Sequence, residues 1–446
     1  MRETQRGPGS RPALSRLISF SPQVFSSEYW GNIPLVSTRA QLEEDFSDLF
    51  SLEAVDELVA ERALRTPFVR MAKEGAVLPP VEFTSGGGYG AEIADQLDAD
   101  KVLAAFADGS TLVLQGLHRT WPALADFIRQ LNVDLGYPCQ VNAYITPASS
   151  RGFDPHYDVH DVFVIQIHGE KSWTIHEPVY VDPLSSQPWS ERRSAVAEQA
   201  QGVPHLEHTF APGDVLYLPR GWIHSATALG DTSIHLTIGI APHTRYEIVE
   251  QALERLRTDA TLRQSLPMRP TTDAVSNEPV PGNAVHEETV PDNAVQTGAL
   301  AANDARSLVE EVLARAAEEL RDETFVNDVA ARFADRSGPA AGGAFAGVAA
   351  PAPVRPLATI AAAAELNADT VVSWRPGLSA RLALDDTTVG IVTASKTVSL
   401  PAEASRAVEA LHHGTSCHGG ALPGLDAASS LVVARRLIRE GVLVVA

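Results

Sequence analysis

Residues 154–176 read Asp154-Pro155-His156-Tyr157-Asp158-Val159-His160-Asp161-Val162-Phe163-Val164-Ile165-Gln166-Ile167-His168-Gly169-Glu170-Lys171-Ser172-Trp173-Thr174-Ile175-His176. Two runs rich in β-branched and aromatic residues, Val162 to Ile167 and Ser172 to Ile175, flank Gly169, the pattern of two strands joined by a tight turn. Working outward, similar short runs occur at Thr111 to Gln115, Gln140 to Ile145, Val215 to Leu218 and Ser233 to Ile240, with Pro212-Gly213-Asp214 as a further turn signal. A helical pattern over Trp121 to Leu131 is inserted among them. Many short strands separated by tight turns predict a sandwich or barrel.

The same stretch carries chemistry. Side chains two apart in a strand share a face, so His156 and Asp158 are expected to project together. His224, in Pro219-Arg220-Gly221-Trp222-Ile223-His224, would complete a set of two imidazoles and one carboxylate. Such a triad leaves coordination positions open and is the signature of non-haem Fe(II) oxygenases; the open positions admit a chelating cosubstrate and O2. A His-x-Asp pair alone is common on surfaces, so its surroundings matter. Asn142 lies on the preceding strand, Lys171 follows the Gly169 turn, and Gly213-Asp214 opens the strand leading to His224. Thr237 shares a strand face with His235 and Gly239 and is a candidate for the same pocket.

A length of 446 residues suggests about three domains. With 35 basic against 56 acidic residues, the net charge of -21 excludes a chain-wide positive field for nucleic acid or an anionic membrane. No run reaches the roughly 18 to 20 apolar residues that a membrane span needs, and residues 1–16 lack the apolar segment of a secretory signal. The two cysteines, Cys139 and Cys417, are too few for a disulfide framework. These features predict a cytoplasmic protein, and the preference for arginine over lysine suggests a GC-rich, bacterial source. Gly86-Gly87-Gly88-Tyr89-Gly90 lacks the Lys-Ser/Thr ending and the preceding strand of a phosphate loop and reads as a plain loop. His205 and His208 read as solvated. His412, His413, Cys417 and His418 sit in a glycine-rich loop with no framework for zinc.

The expected organisation is a disordered tail at 1–19 and a catalytic domain at 20–242 that begins with helices at Gln41 to Phe50 and Leu52 to Leu64. A helical region follows at 243–336, with helices at Tyr246 to Gln264 and Ala301 to Arg336. Between them, 267–298 is a low-complexity insert in which Asp273-Ala274-Val275 recurs as Asn283-Ala284-Val285 and Asn293-Ala294-Val295. A linker at 337–356 leads to 357–446, whose order of strands and helices fits a winged-helix-like module. Arg435, Arg436 and Arg439 form its only dense basic patch, so direct nucleic-acid binding is not expected.

The segments Phe25-x-x-x-Tyr29-Trp30 with Pro34, His156-Tyr157-Asp158-x-x-Asp161-Val162-Phe163-x-x-Gln166, Gly169-Glu170-Lys171-x-Trp173, and Pro212-Gly213-Asp214-x-Leu216-Tyr217-x-Pro219-Arg220-Gly221-Trp222-x-His224 resemble the JmjC-type cupin oxygenases. Within these they are most similar to the ribosomal oxygenase group. The resemblance spans about 25 to 240 and implies an α+β protein with a double-stranded β-helix (jelly-roll, cupin) core, N-terminal helices, a helical dimerisation region and a C-terminal winged helix. It implies Fe(II) held by His156, Asp158 and His224, 2-oxoglutarate with its distal carboxylate on Lys171, and Asn142 as a polar pocket residue. It further implies hydroxylation of a protein side chain, an Arg or His of a ribosomal protein, by a homodimer. Two other readings fit the same residues: hydroxylation of a peptide or small metabolite, and a cupin that binds without turnover.

Overall fold

The computed structural model describes residues 12–265 apart from 74, 91, 149 and 151–153, residues 302–330 apart from 328, and residues 355–445 apart from 377, 379 and 394. The expected insert at 267–298, and all but the end of the expected linker at 337–356, lie outside the described residues.

The sheet that carries the site has nine strands, paired antiparallel throughout the described residues. In chain order they are β1 (Leu35–Ser37), β2 (Val69–Lys73), β3 (Ala76–Val77), β4 (Thr111–Leu114), β5 (Cys139–Thr146), β6 (Asp161–His176), β7 (Leu206–Phe210), β8 (Val215–Leu218) and β9 (Ile223–Ile240). The spatial order is β1-β8-β6-β9-β5-β4-β2-β3, with β7 pairing β6 off that path. Where the sequence suggests two strands about Gly169, the chain forms one, β6, 16 residues long. Gly169 takes a positive φ of 63° without reversing the chain, and a Cβ there would lie 2.2 Å from the Thr232 carbonyl oxygen. That glycine therefore lets β9 pass close by, where the β6–β9 register shifts between Leu229 and His235.

Each long strand serves two layers. The first half of β6 pairs with β8 and the second half of β9, while its second half pairs with β7 and the first half of β9. The layers face each other, because Val162 and Val164 share one buried cluster with Trp173, Ile175, Phe210, Leu216 and Leu218. Two antiparallel layers made by strands that cross from one to the other form the jelly roll of a cupin. The outward face of the larger layer buries Phe163, Ile165, Tyr217 and Leu236 against Phe25, Phe46, Phe50, Leu58, Leu124 and Ile128 of the N-terminal segments. Each such side chain contributes roughly 1.5–3 kcal/mol by leaving water.

Two N-terminal expectations need correction. Residues 12–19 are not a tail: helix Pro12–Ser15 buries Ala13 and Leu14, and Leu17 and Ile18 are buried beyond it. Asp134 accepts hydrogen bonds from the backbone N–H groups of Ala13 and Leu14 at 2.8 and 3.0 Å, closing the helix start onto helix Pro122–Leu135. The helix expected at 41–50 does not form. Asp45 instead accepts from the Ser47 N–H and hydroxyl, a local turn that competes with helical pairing, while Leu42, Phe46, Leu49 and Phe50 still reach the core. The neighbouring helix Leu52–Ala60 does form, capped by the Ser51 hydroxyl on the Ala54 N–H.

His243–Phe333 is a compact unit of its own. Helix Arg245–Leu256 starts at a capping box between Thr244 and Glu247. It ends earlier than expected, where Asp259 accepts from the N–H groups of Thr261 and Leu262. The expected helix at 301–336 is interrupted after Ala302–Leu320: Asp322 accepts from the Thr324 N–H and helix resumes over 323–327, while 331–336 lie outside the described residues. Arg315 holds the unit together by pairing with Asp259 at 2.7 Å. At 355–445, Val372, Ile391, Leu400, Val408, Leu411, Leu437 and Ile438 form a separate core. It lies among two three-stranded sheets and helices Pro356–Glu365, Ser405–His412 and Ala427–Arg439. Helix Pro356–Glu365 and strand Arg381–Leu384 are elements the sequence reading missed.

Candidate metal centre and anion pocket

His156 and His224 come together as an isolated antiparallel bridge: each backbone N–H donates to the other's carbonyl, at 3.2 Å from His156 and 2.8 Å from His224. The expected strand through 156–158 is absent. Asp158 lies in an irregular segment just before β6, held by the Gly221 N–H on its carbonyl. The side chains nevertheless converge as expected. One ligand atom from each of His156, Asp158 and His224 lies within 4.8 Å of the others. They are the only such group among the described residues.

Local backbone sets the ligand orientation. The His156 Nδ1–H donates to the Asp154 carbonyl at 2.8 Å, and the His224 Nδ1–H donates to the Trp222 carbonyl at 3.1 Å. Both rings therefore carry their proton on Nδ1 and turn the Nε2 lone pair toward the triad. His224 Nε2 stands 3.8 Å from Asp158 Oδ2. Burial pushes the His224 imidazolium down to about 4, so the ring is neutral, the state a metal requires. Burial raises the Asp158 carboxyl, while His160, His224 and His156, where protonated, draw it below its ordinary value. Two imidazoles and one carboxylate, with both rings already oriented, fit a divalent transition metal with open positions.

The turn before His224 is itself built. Gly221 has φ of 87°, and a Cβ there would sit 2.7 Å from the Tyr180 carbonyl oxygen. Asp161 accepts from the Arg220 N–H at 3.0 Å and from the Tyr217 hydroxyl at 2.8 Å. Across the opening, Trp189 packs near His156, with ring centroids 6.0 Å apart.

Lys171 lies on the interior face of β6, two residues before Trp173, and is 4% exposed. Its Nζ donates to the Thr146 hydroxyl at 3.0 Å, and it has no ion pair among the described residues. Burial alone pushes its pKa down to about 7. A buried ammonium without a counter-charge is costly, so the position suits an anionic ligand.

Asn142 and Thr237 face each other in register on β5 and β9. The Asn142 amide oxygen accepts from the Gly116 N–H at 3.0 Å, which ties it to that turn. The sequence reading missed Tyr144 and Thr146, although they follow Asn142 at the two-residue spacing of one strand face, and it passed over His235 and Trp173. Tyr144 stacks flat on His235, and Trp173 stacks against His224 with centroids 5.9 Å apart. Three of the other histidines have partners outside the site. His205 packs on the Trp222 ring, while His412 and His418 bond to the carbonyls of Ala380 and Asp369.

Residues 120–248 match the family described as JmjC domain. Over 147 residues the chain is 35% identical to the bifunctional lysine-specific demethylase and histidyl-hydroxylase NO66 of Drosophila persimilis, covering 32% of this chain and 20% of that protein. It is 29% identical over 256 residues to ribosomal oxygenase 1 of Gallus gallus, covering 56% of this chain and 40% of that one. The chain thus spans well under half the length of these relatives. Among solved structures, the Escherichia coli ribosomal oxygenase YcfD with cobalt and 2-oxoglutarate aligns over 96% of this chain and 99% of its own. The identity is 16% and the TM-score 0.48. The match at 120–248 encloses the triad and Lys171, and over that span the chain carries a JmjC domain homologous to those of ribosomal oxygenase 1 and NO66.

Proposed function

We propose that the chain is an Fe(II)- and 2-oxoglutarate-dependent oxygenase that hydroxylates a protein side chain and releases succinate and CO2. The observation that carries this is the juxtaposition, inside one barrel, of a pre-oriented His156/Asp158/His224 triad and a buried lysine with no ion pair among the described residues. His156, Asp158 and His224 hold the metal, which when bound supplies the chemistry of O2 activation. Lys171 takes the distal carboxylate of 2-oxoglutarate, assisted by the Thr146 hydroxyl. Asn142 and Thr237 line the pocket beyond. The apolar walls, Val164, Trp173 and Phe210 among them, exclude water, which strengthens each of these charge contacts.

The protein-substrate reading rests on the likeness to proteins named ribosomal oxygenase and histidyl-hydroxylase. An Arg or His of a ribosomal protein is the target it favours, and the acidic balance of the chain suits a basic partner. Exposed Tyr246, Val249 and Leu253 on one helix, with Val312 and Leu313 on another, support a homodimer formed through 243–333. The 357–446 module reads as a winged helix in a supporting role, and the chain as cytoplasmic; no helix among the described residues is long and apolar enough to cross a membrane.

The test is anaerobic addition of Fe(II) and 2-oxoglutarate to the purified protein. A saturable visible charge-transfer band that bleaches with O2 as succinate appears is the expected result. A folded protein giving no band would favour a cupin that binds without turnover.

A further inference from the structure

One buried imidazole inside the barrel has no part in the reading above. His235 is 4% exposed and sits on β9 directly opposite Tyr144 of β5. Its ring lies against Tyr144 with centroids 5.0 Å apart and planes 2° apart, and Trp173 meets it edge-on at 5.6 Å. These two rings fix its plane. They do not satisfy it: His235 Nδ1 is buried and has no hydrogen-bond partner among the described residues. The indole Nε1 of Trp173, 5% exposed, is in the same condition. Buried polar groups are nearly always bonded, so two orphans on touching rings mark a place that something else completes.

The position of His235 says what that is. Ser233, one interior step away along β9, faces Thr146, the partner of the Lys171 ammonium. On its other side, the edge of Trp173 links it to the ring of the metal-ligating His224. A ligand reaching from Lys171 to the triad passes this ring. Burial, and after it the neighbouring charge of Lys171, keep the imidazole neutral, with one N–H and one lone pair.

We propose that His235 is a binding residue of this pocket, whose Nδ1–H donates to an oxygen of the carboxylate ligand lying between Lys171 and the metal triad. The inference rests on the oxygenase reading, since it assumes a ligand that spans both ends. It goes beyond it by giving a side chain, which a plain apolar filler could replace for packing, a direct role in holding the ligand. A neutral donor at this point holds an oxygen without adding a second buried cation beside Lys171.

The experiment compares His235→Leu, which fills the space, with His235→Asn, whose amide N–H can stand where Nδ1–H stands. Each full-length protein is loaded with Zn(II) as a redox-inert metal and titrated calorimetrically with 2-oxoglutarate; Zn(II) affinity and melting temperature are measured alongside. The expected result is that His235→Leu weakens 2-oxoglutarate binding about tenfold or more, the effect of one lost hydrogen bond to an anion. His235→Asn should recover most of it, with Zn(II) affinity unchanged in both. Equal binding by His235→Leu and the wild type overturns the proposal while leaving the oxygenase reading in place. So does a parallel loss of Zn(II) affinity and melting temperature in both variants, which would make the ring a packing element only. A wild-type protein that binds Zn(II) but not 2-oxoglutarate overturns the oxygenase reading itself, and this inference with it.

Discussion

Lys171 Nζ lies 3.0 Å from the Thr146 hydroxyl, and both residues are sealed inside the barrel. The hydroxyl solvates the amine without neutralising it, so the charge at this end of the pocket depends on pH in a way the rest of the surface does not. Burial holds the Lys171 pKa down to about 7. An anionic ligand needs the ammonium. Below about pH 7 that form is already present, and above it binding must take up a proton. The dissociation constant for 2-oxoglutarate is expected to rise about tenfold per pH unit above 7, until the pKa of the complex is reached. Calorimetry on Zn(II)-loaded protein at pH 6.5, 7.5 and 8.5 measures this. Lys171→Met should bind weakly at every pH and lose the slope, whereas a flat wild-type profile would place the anion elsewhere.

The buried histidines set the opposite edge of the pH range. Burial pushes His118 and His224 down to about 4 and His235 well below the ordinary imidazole value. Unfolded, all three take up protons near pH 6.5, but the native rings resist. The metal-free protein should therefore lose stability steadily as pH falls from about 6.5 toward 4. Melting curves in a chelator between pH 7.5 and 4.5 will show it, and His118→Gln, which keeps an acceptor for the Val141 N–H, should reduce the fall.

Removing a metal ligand should separate metal binding from folding. His156→Ala or Asp158→Ala is expected to lower Zn(II) or Fe(II) affinity by at least about 100-fold and to abolish succinate formation. The melting temperature without metal should change little, because neither side chain belongs to the main apolar clusters. Retained succinate formation in both variants would remove the site assignment.

Gly221→Ala tests the turn that presents His224. An alanine would need φ near 87° and would set a Cβ 2.7 Å from the Tyr180 carbonyl oxygen. The left-handed backbone alone costs about 1–2 kcal/mol, and the clash adds to it. The expected outcome is a lower melting temperature together with weaker metal binding, since the Trp222 carbonyl that orients His224 lies next along the chain. Unchanged metal affinity would mean that the bridge to His156 alone positions the ligand.

The dimer reading is checked by light scattering. Leu253→Glu with Leu313→Glu places charge on the exposed apolar faces and should convert a dimer to a monomer at micromolar concentration. A monomeric wild-type protein would end that reading.

Much of the barrel was legible in sequence because runs rich in β-branched and aromatic residues, bounded by turn residues, mark strands even where both faces are buried, as in Val215–Leu218. The triad was legible because histidine and aspartate are scarce enough for their spacing to carry meaning. What failed, failed for local reasons. Asp45 hydrogen-bonds to Ser47 and stops a helix that the apolar spacing of Leu42, Phe46 and Phe50 suggests. Gly169 reads as a reversal but serves as a gap through which β9 passes. Asp158 reaches the metal site from an irregular segment, not from the strand face that motivated its assignment. Tyr144 went unread, and His235 was noted only as sharing a face with Thr237, because an aromatic or a lone histidine in a strand looks like any core residue until its cross-strand neighbours are known.

The pairing of β6 with β9 has a further consequence. Lys171 stands opposite Ala228, and Ile175 stands opposite His224. The two ends of the pocket are four positions apart on each strand, and because four is even, cation and metal ligand look inward together. A single inserted or deleted residue anywhere in 172–175 or 225–228 would turn one end outward. Natural length variation in this stretch should come in twos, or not at all.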